Sequence, residues 1–220
     1  MVVSLTRRQN LVFKDRVFTE PLLLVECVDI LFQNCTFTDK GFRDRVAITI
    51  KSSKNIGIDA CSFEGCSAIY CFKSSHLNIV KCDAKNISAP MPRGQFCQLN
   101  DCKGPVQISG NRIVCEIGKS FVEDVINCYK SYASKEAPIT ISDNYIECPG
   151  ATSRSGGGIM LGDNGGSYQY AMNNVLIQPG QYGIASAGGS DMIIAENEVY
   201  SPQTSISNVG IYVWVSNIYL

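Results

Sequence analysis

Short apolar stretches with a period of two recur along the whole chain, and no window carries a helix-period stripe of useful length. One pattern keeps returning: two apolar residues one position apart, then Cys or Asn three residues on, then another apolar residue. It reads Leu11-Val12-Phe13 with Phe18, Ile30-Leu31-Phe32 with Cys35 and Phe37, Ile56-Gly57-Ile58 with Cys61 and Phe63, and Leu77-Asn78-Ile79 with Cys82. The second half has Val106/Ile108 with Asn111 and Ile113, Ile139/Ile141 with Asn144 and Ile146, Tyr168/Tyr170 with Asn173 and Val175, and Met192/Ile194 with Asn197 and Val199. A second apolar run precedes most copies, as in Val46–Ile50, Ala68–Phe72, Phe96–Leu99, Val125–Tyr129, Gly158–Leu161, Gly183–Ala185 and Gly210–Val213. Each repeat is therefore two or three short strands joined by Gly, Asn, Asp and Ser turns.

The spacing of the Cys/Asn positions runs from 21 to 33 residues. Helical-pair repeats are excluded, and the variation is too large for propeller blades or leucine-rich repeats. A coil of strands stacked on its own copies tolerates such variation, because one corner can lengthen without disturbing the stack. The column Cys35, Cys61, Cys82, Asn111, Asn144, Asn173, Asn197 has a physical reading. Asn tolerates left-handed backbone at a tight corner, and its amide can bond the copies above and below as a ladder. Cys fills the same inward space as a small hydrophobe. A redox or metal-binding line of thiols is the alternative.

The repeats NIGIDACSF, PVQISGNRIV, PITISDNYIE and DMIIAENEVY, spread over nearly the whole chain, resemble the right-handed parallel β-helix superfamily. That superfamily includes pectate lyases, polygalacturonases, alginate lyases and epimerases, and phage tailspikes. The resemblance implies an all-β, single-stranded right-handed parallel β-helix solenoid of about eight rungs, with residues 1–220 as one domain. Solenoid ends need polar caps, and both ends of this chain read as strand. The expectation is a truncated fragment, or a flanking region or second subunit that covers an end. The fold specifies no single chemistry.

Composition narrows the function classes. The 220 residues suit one domain, and 45% apolar with 18% charged residues excludes a disordered or coiled-coil chain. A net charge of −1 gives no bulk field for nucleic acid or an anionic membrane. Neither a spanning segment nor a signal-peptide apolar core is visible. Eleven cysteines are an odd number, so at least one stays unpaired, and buried reduced thiols are the simple reading. These thiols lean towards a reducing interior, whereas the family resemblance leans towards secretion. With one His and no paired CxxC, no zinc site is expected.

The long loops share one corner: Thr38–Arg45, Lys85–Gly94, Cys115–Asp124 and Glu147–Gly157. Variable loops on a rigid scaffold are where sites are built. In the resembling family they wall a groove on the adjacent sheet that holds an extended sugar chain. That sheet is the second strand series, whose outward positions align as Thr49 and Lys51, Cys71 and Lys73, Gln98 and Asn100, Lys130, Gly162, Ala187, and Tyr212 with Trp214. A shift of one residue would place Tyr129 outward instead of Lys130. This alignment stacks Lys51 on Lys73, at a repulsive cost of about 1 kcal/mol in water, which points to an anionic partner. Arg43, Arg45, Arg93 and Arg154 on the loops add forks suited to carboxylates.

An acidic, uronic-acid polysaccharide or another glycan is therefore the expected partner, with Lys51, Arg93, Asn100, Asp101, Arg154, Asp163 and Trp214 as binding residues. Neither nucleic acid nor membrane is expected. β-Elimination needs a cation on the carboxylate, a base and an acid, and Lys73, Lys130 and Tyr132 are the catalytic candidates. Asp101 and Asp163, with Glu123-Asp124, offer the carboxylates of a hydrolase instead, although the Asp-Asp and Gly-His motifs of hydrolases with this fold are missing. The lone His76 reads as a turn or surface residue. No cofactor or metal is expected, because the acidic cluster of the calcium-dependent lyases does not appear. Gly156-Gly157-Gly158 and Gly162–Gly166 read as tight corners, not phosphate loops. Of the sequons at Asn34 and Asn86, Asn34 lies beside the inward ladder, so only Asn86, in a loop, has room for a glycan on this register. A non-catalytic glycan binder or adhesin-like β-helix is the second reading, with Tyr212 and Trp214 as stacking or interface aromatics.

Overall fold

A computed structural model of the protein describes residues 2–38, 45–149, 154–206 and 209–214. Its strands come in the order the repeats predict. Val3–Thr6, Gln9–Lys14 and Val17–Phe18 form the first coil, and each later coil lays its strands parallel on the copy before. Three stacked strand series result, called the first, second and third sheets, of which the first two join at the Lys103–Tyr132 pairing. The first runs from Val3–Thr6 through Leu22–Val25, Val46–Lys51, Ser67–Phe72, Cys97–Asn100, Ile126–Tyr132, Ile159–Ser167 and Tyr182–Ser186 to Val209–Val213. The second runs from Gln9–Lys14 to Ile193–Ala195, and the third from Val17–Phe18 to Glu198–Tyr200. The chain is thus an all-β parallel β-helix, and the described residues contain no helix.

Alternation makes the core. Ile48 and Ile50 stack on Ile69 and Cys71, and Ile56 and Ile58 on Leu77 and Ile79, all buried. At about 1.5–3 kcal/mol per fully buried aliphatic or aromatic side chain, this line of like on like holds the coils in register. A one-residue slip would turn every apolar side chain outward. Phenylalanines do the same in the early coils. Phe18 stacks on Phe37 with centroids 4.9 Å apart, and Phe37 on Phe63 at 4.9 Å.

The ladder sits at the corner between the second and third sheets, with one correction. Asn174, not Asn173, occupies the column. The Asn144 Nδ2 donates to Asn174 Oδ1 at 2.9 Å, and Asn174 Nδ2 donates to Asn197 Oδ1 at 2.9 Å. The left-handed backbone belongs to the residue before each ladder position: Asn34, Ala60, Lys81, Gly110, Asp143, Asn173 and Glu196 all have φ between 50° and 64°. The cysteines also do more than fill space. Cys61 Sγ donates to Phe32 O at 3.6 Å and Cys82 Sγ to Ile58 O at 3.6 Å. These carbonyls correspond to Ile108 and Ile141, which accept from Asn144 and Asn174.

A second column fixes the corner between the first and second sheets. Cys27 N donates to Ser53 Oγ, Ser53 N to Ser74 Oγ, and Cys102 N to Ser131 Oγ, at 3.0, 3.1 and 3.1 Å. All eleven cysteines are buried and free. Burial pushes the Cys61 thiol up to about 12, and it raises Cys82, Cys102 and Cys128 as well. Such thiols stay protonated and unreactive.

Candidate functional site

The pairing register of the first sheet defines its outer face. One outward row is Thr49, Tyr70, Gln98, Asn127 and Met160; the next is Lys51, Phe72, Asn100, Tyr129 and Asp163. This corrects the sequence alignment in three places. Cys71 points inward and is buried, and Gly162 is buried too. Lys51 stacks on Phe72, not Lys73. The cause is the Ser-Ser doublets: the second serine of one, Ser53, pairs with the first serine of the other, Ser74. Tyr129 faces outward, as the alternative register has it.

Lys73 therefore lies on the corner, in a column with Ser52, Asp101 and Lys130, where every member has positive φ. Its Nζ is 3.9 Å from Asp101 Oδ2. Lys73 and Lys130 are two rungs apart, about 10 Å, with the acid between them instead of a cation. Lys130 Nζ lies 5.3 Å from the Tyr129 ring centroid. Tyr132 is two columns further on, past Ser131 and beside Lys103 in the register, and its hydroxyl lies against Gly165. Among the described residues, no hydrogen bond or ion pair joins these three to one another.

At the middle of the face, Arg93 reaches over from its loop and covers Tyr70, Cζ to centroid 4.1 Å. Its Nη1 donates to Gln98 Oε1 at 2.9 Å and to Pro92 O at 3.4 Å. The Nε and Nη2 edge has no partner among the described residues and keeps its fork free. Asn100 Nδ2 donates to the Tyr70 hydroxyl at 3.0 Å, and Asn164 Nδ2 to the Tyr129 hydroxyl at 3.0 Å. Amide, phenol and guanidinium groups thus form one continuous polar floor with aromatic faces.

One rung further, a buried carboxyl anchors the floor. Asp124 accepts from Asn127 Nδ2 at 2.8 Å, from Gly157 N at 3.3 Å, and from the Tyr182 hydroxyl. The same Asn127 Nδ2 donates to Asp163 Oδ2 at 2.9 Å, so two carboxylates meet on one amide. Asn127 Oδ1 is buried with no partner among the described residues. Asp163 arrives there through two bulges in its strand, one on each side of its pairing with Tyr129. Burial raises the Asp124 carboxyl to about 6, against the bonds from Tyr182 and Asn127 that pull it down. Tyr182 is raised well above its ordinary value, first by burial and then by the Asp124 charge.

The glycines here are close-approach points, not phosphate loops. A Cβ on Gly156 would fall 1.9 Å from Glu123 O, and one on Gly157 would fall 2.5 Å from the Tyr182 ring. Replacing Gly157 by Ala should push Tyr182 off Asp124. We expect it to lower stability by about 1–3 kcal/mol, the usual range for overpacking, read as a drop in the urea midpoint.

Arg154 is exposed on its loop and Trp214 is 68% exposed beyond the last first-sheet strand. Among the described residues, neither makes a hydrogen bond or ion pair with the polar floor. Arg43 lies outside the described residues, and Arg45 is exposed. Asn34 and Asn86 exchange the roles the sequence gives them. Asn86 is buried and accepts from Glu116 N at 2.9 Å, whereas Asn34 is exposed. Sequence reading missed Tyr70, Asn127 and Tyr182. Tyr70 and Asn127 were legible as outward members of the strand series once its register is right; no local signal marks Tyr182. Among the described residues, no group of three or more His, Cys, Asp or Glu side chains could hold a metal ion.

A three-sided parallel solenoid with inner Cys/Asn columns and a polar outer face between loops defines the parallel β-helix class. Residues 3–147 match the family model described as the right-handed beta helix region, and the chain belongs to that family. The match ends with the third-sheet strand Tyr145–Glu147, and the coils that carry Asp163 and Tyr182 continue the same stacking beyond it. No curated protein matches the chain, and no solved structure matches it.

Proposed function

We propose that the outer face of the first sheet binds an extended acidic glycan and that the protein is a polysaccharide lyase acting on it. The observation that supports this is Arg93. It is fixed by Tyr70 and Gln98 while its Nε–Nη2 edge stays open on the face whose outward row includes Asn100 and Tyr129. A planar fork held over an amide and aromatic floor suits the carboxylate of a uronic acid unit, and the rings suit its apolar sugar faces. Lys73, Lys130 and Tyr132 along the corner are the groups that would take and return protons. Lys51 would meet the same chain from the neighbouring coil.

The test is incubation with polygalacturonate, alginate and glucuronan, following absorbance of the unsaturated product. Appearance of that product supports elimination. New reducing ends without it would favour hydrolysis by the Asp124–Asp163 pair, whose unequal environments are the specific observation behind that second reading. Binding without either product would leave a glycan-binding module. Arg93→Ala should weaken binding of a uronate oligosaccharide at least about tenfold, the worth of one charge-assisted bidentate contact, as read by calorimetric titration.

A further inference from the structure

We infer that the corner between the first and second sheets holds sulfate half-esters carried by the same glycan. This rests on the reading of the first sheet as a glycan-binding face and names the kind of glycan. The corner has a cavity of about 340 Å³ lined by Lys73, Ser74, Ser75, Asp101 and Lys103. Ser75 opens the second-sheet strand and pairs in register with Lys54 on one side and Lys103 on the other. Lys130 follows Asp101 in the corner column. Four lysines and one aspartate thus give the corner three net positive charges, in a chain whose total is −1.

The acid neutralises only one of them. Lys73 pairs with Asp101 at 3.9 Å, while Lys54, Lys103 and Lys130 form no ion pair with a described residue. Left-handed backbone at Ser52, Lys73, Asp101 and Lys130 fixes where these side chains leave the corner. Ser75 adds a hydroxyl, 3.3 Å from His76 Nδ1.

The donor type chooses the ligand. Ammonium groups are compact point charges that approach from several directions, and with a hydroxyl they match the oxygens of a tetrahedral oxyanion. A flat carboxylate is better met by a fork, and Arg93 provides that fork on the adjacent face. A glycan lying across the first sheet would bring its carboxylates to Arg93 and its ester groups to the corner.

The test compares a heparin-derived octasaccharide with its chemically desulfated counterpart, and with inorganic sulfate, by calorimetric titration at fixed salt. The wild-type protein should bind the sulfated sugar at least about tenfold more tightly than the desulfated one. The double substitution Lys54→Ala with Lys103→Ala should bring that ratio close to one. The control Lys14→Ala with Lys81→Ala, two exposed lysines elsewhere, removes the same charge and should keep the ratio. A ratio untouched by the corner substitutions, or lost equally in the control, would overturn the inference. So would binding of inorganic sulfate as tight as that of the sulfated sugar, because the anion would then be free and not glycan-borne. Failure of the glycan-face reading looks different: Arg93→Ala then leaves the desulfated sugar's affinity unchanged, whatever the corner does. Equal thermal midpoints among the variants establish that each is folded.

Discussion

Asn144→Ala should destabilise the protein by about 3–5 kcal/mol, one of the largest single losses available in this fold. Asn144 is buried and works in both directions along the solenoid. Its Nδ2 donates to Ile108 O at 3.0 Å and to Asn174 Oδ1 at 2.9 Å, and its Oδ1 accepts from Asn111 N and Asn111 Nδ2 at 3.0 and 2.9 Å. Truncation leaves a backbone N–H and an amide hydrogen of Asn111 without this acceptor, and Ile108 O without this donor. Each buried orphan costs about 1–3 kcal/mol, and the lost side chain leaves a void as well. Asn144→Cys should cost visibly less, because the early coils show that a thiol reaches the same carbonyl. Urea unfolding of the three proteins checks the order. A cysteine variant no better than the alanine one would mean that the ladder's worth lies wholly in the Oδ1 acceptor.

That comparison also shows what could be read from the residues. Period-two apolar patterning and the Cys/Asn column demand stacked parallel strands, because no other arrangement buries each copy against the next. Two of the errors of register came from doublets, and the misplaced Gly162 came from the bulge between the Asn127 and Tyr129 pairings. Asn173-Asn174 offers two candidates for one ladder place, and the second fills it because the first takes the left-handed corner. Ser52-Ser53 and Ser74-Ser75 align naturally as pairs, yet the chain turns one residue earlier in the second copy. That single step moved Lys73 from the face to the corner and Tyr70 onto the face.

The site was legible only where a residue's chemistry and its strand parity coincide. Asn100 and Arg93 qualify, the first by parity and the second by its place on a long loop. Asp163 could be seen as an acid near the series, but two bulges, which alternation does not encode, decide that it meets Asn127. The Asp124–Tyr182 contact joins positions 58 residues apart and depends on Gly157 leaving room for the ring. Nothing local in either segment announces it.

Asp124 should make the fold lose stability as pH rises through the mildly acidic range, opposite to the usual carboxylate behaviour. Its carboxyl is raised from 3.8 to about 6, first by burial. The folded state therefore holds this proton more tightly than the unfolded chain does. Its contribution is fully present below about pH 4, falls between pH 4 and 6, and is gone above that range; the difference is worth about 3 kcal/mol. Glu116 works the other way. Bonds from Lys119, Asn86 and Lys85 hold it down at about 2, so what it adds is lost as pH falls below its ordinary value. A plain pH curve mixes the two, but the difference between wild type and Asp124→Asn isolates the first. The amide keeps an acceptor for the Tyr182 hydroxyl and cannot ionise. The variant should therefore gain on wild type steadily from pH 4 to pH 6 and hold a constant lead above it, as read from urea midpoints. Parallel curves across that interval would mean that Asp124 ionises as an ordinary carboxylate. The Tyr182–Asp124–Asn127 chain would then leave the charge beside Asp163 unchanged across this range.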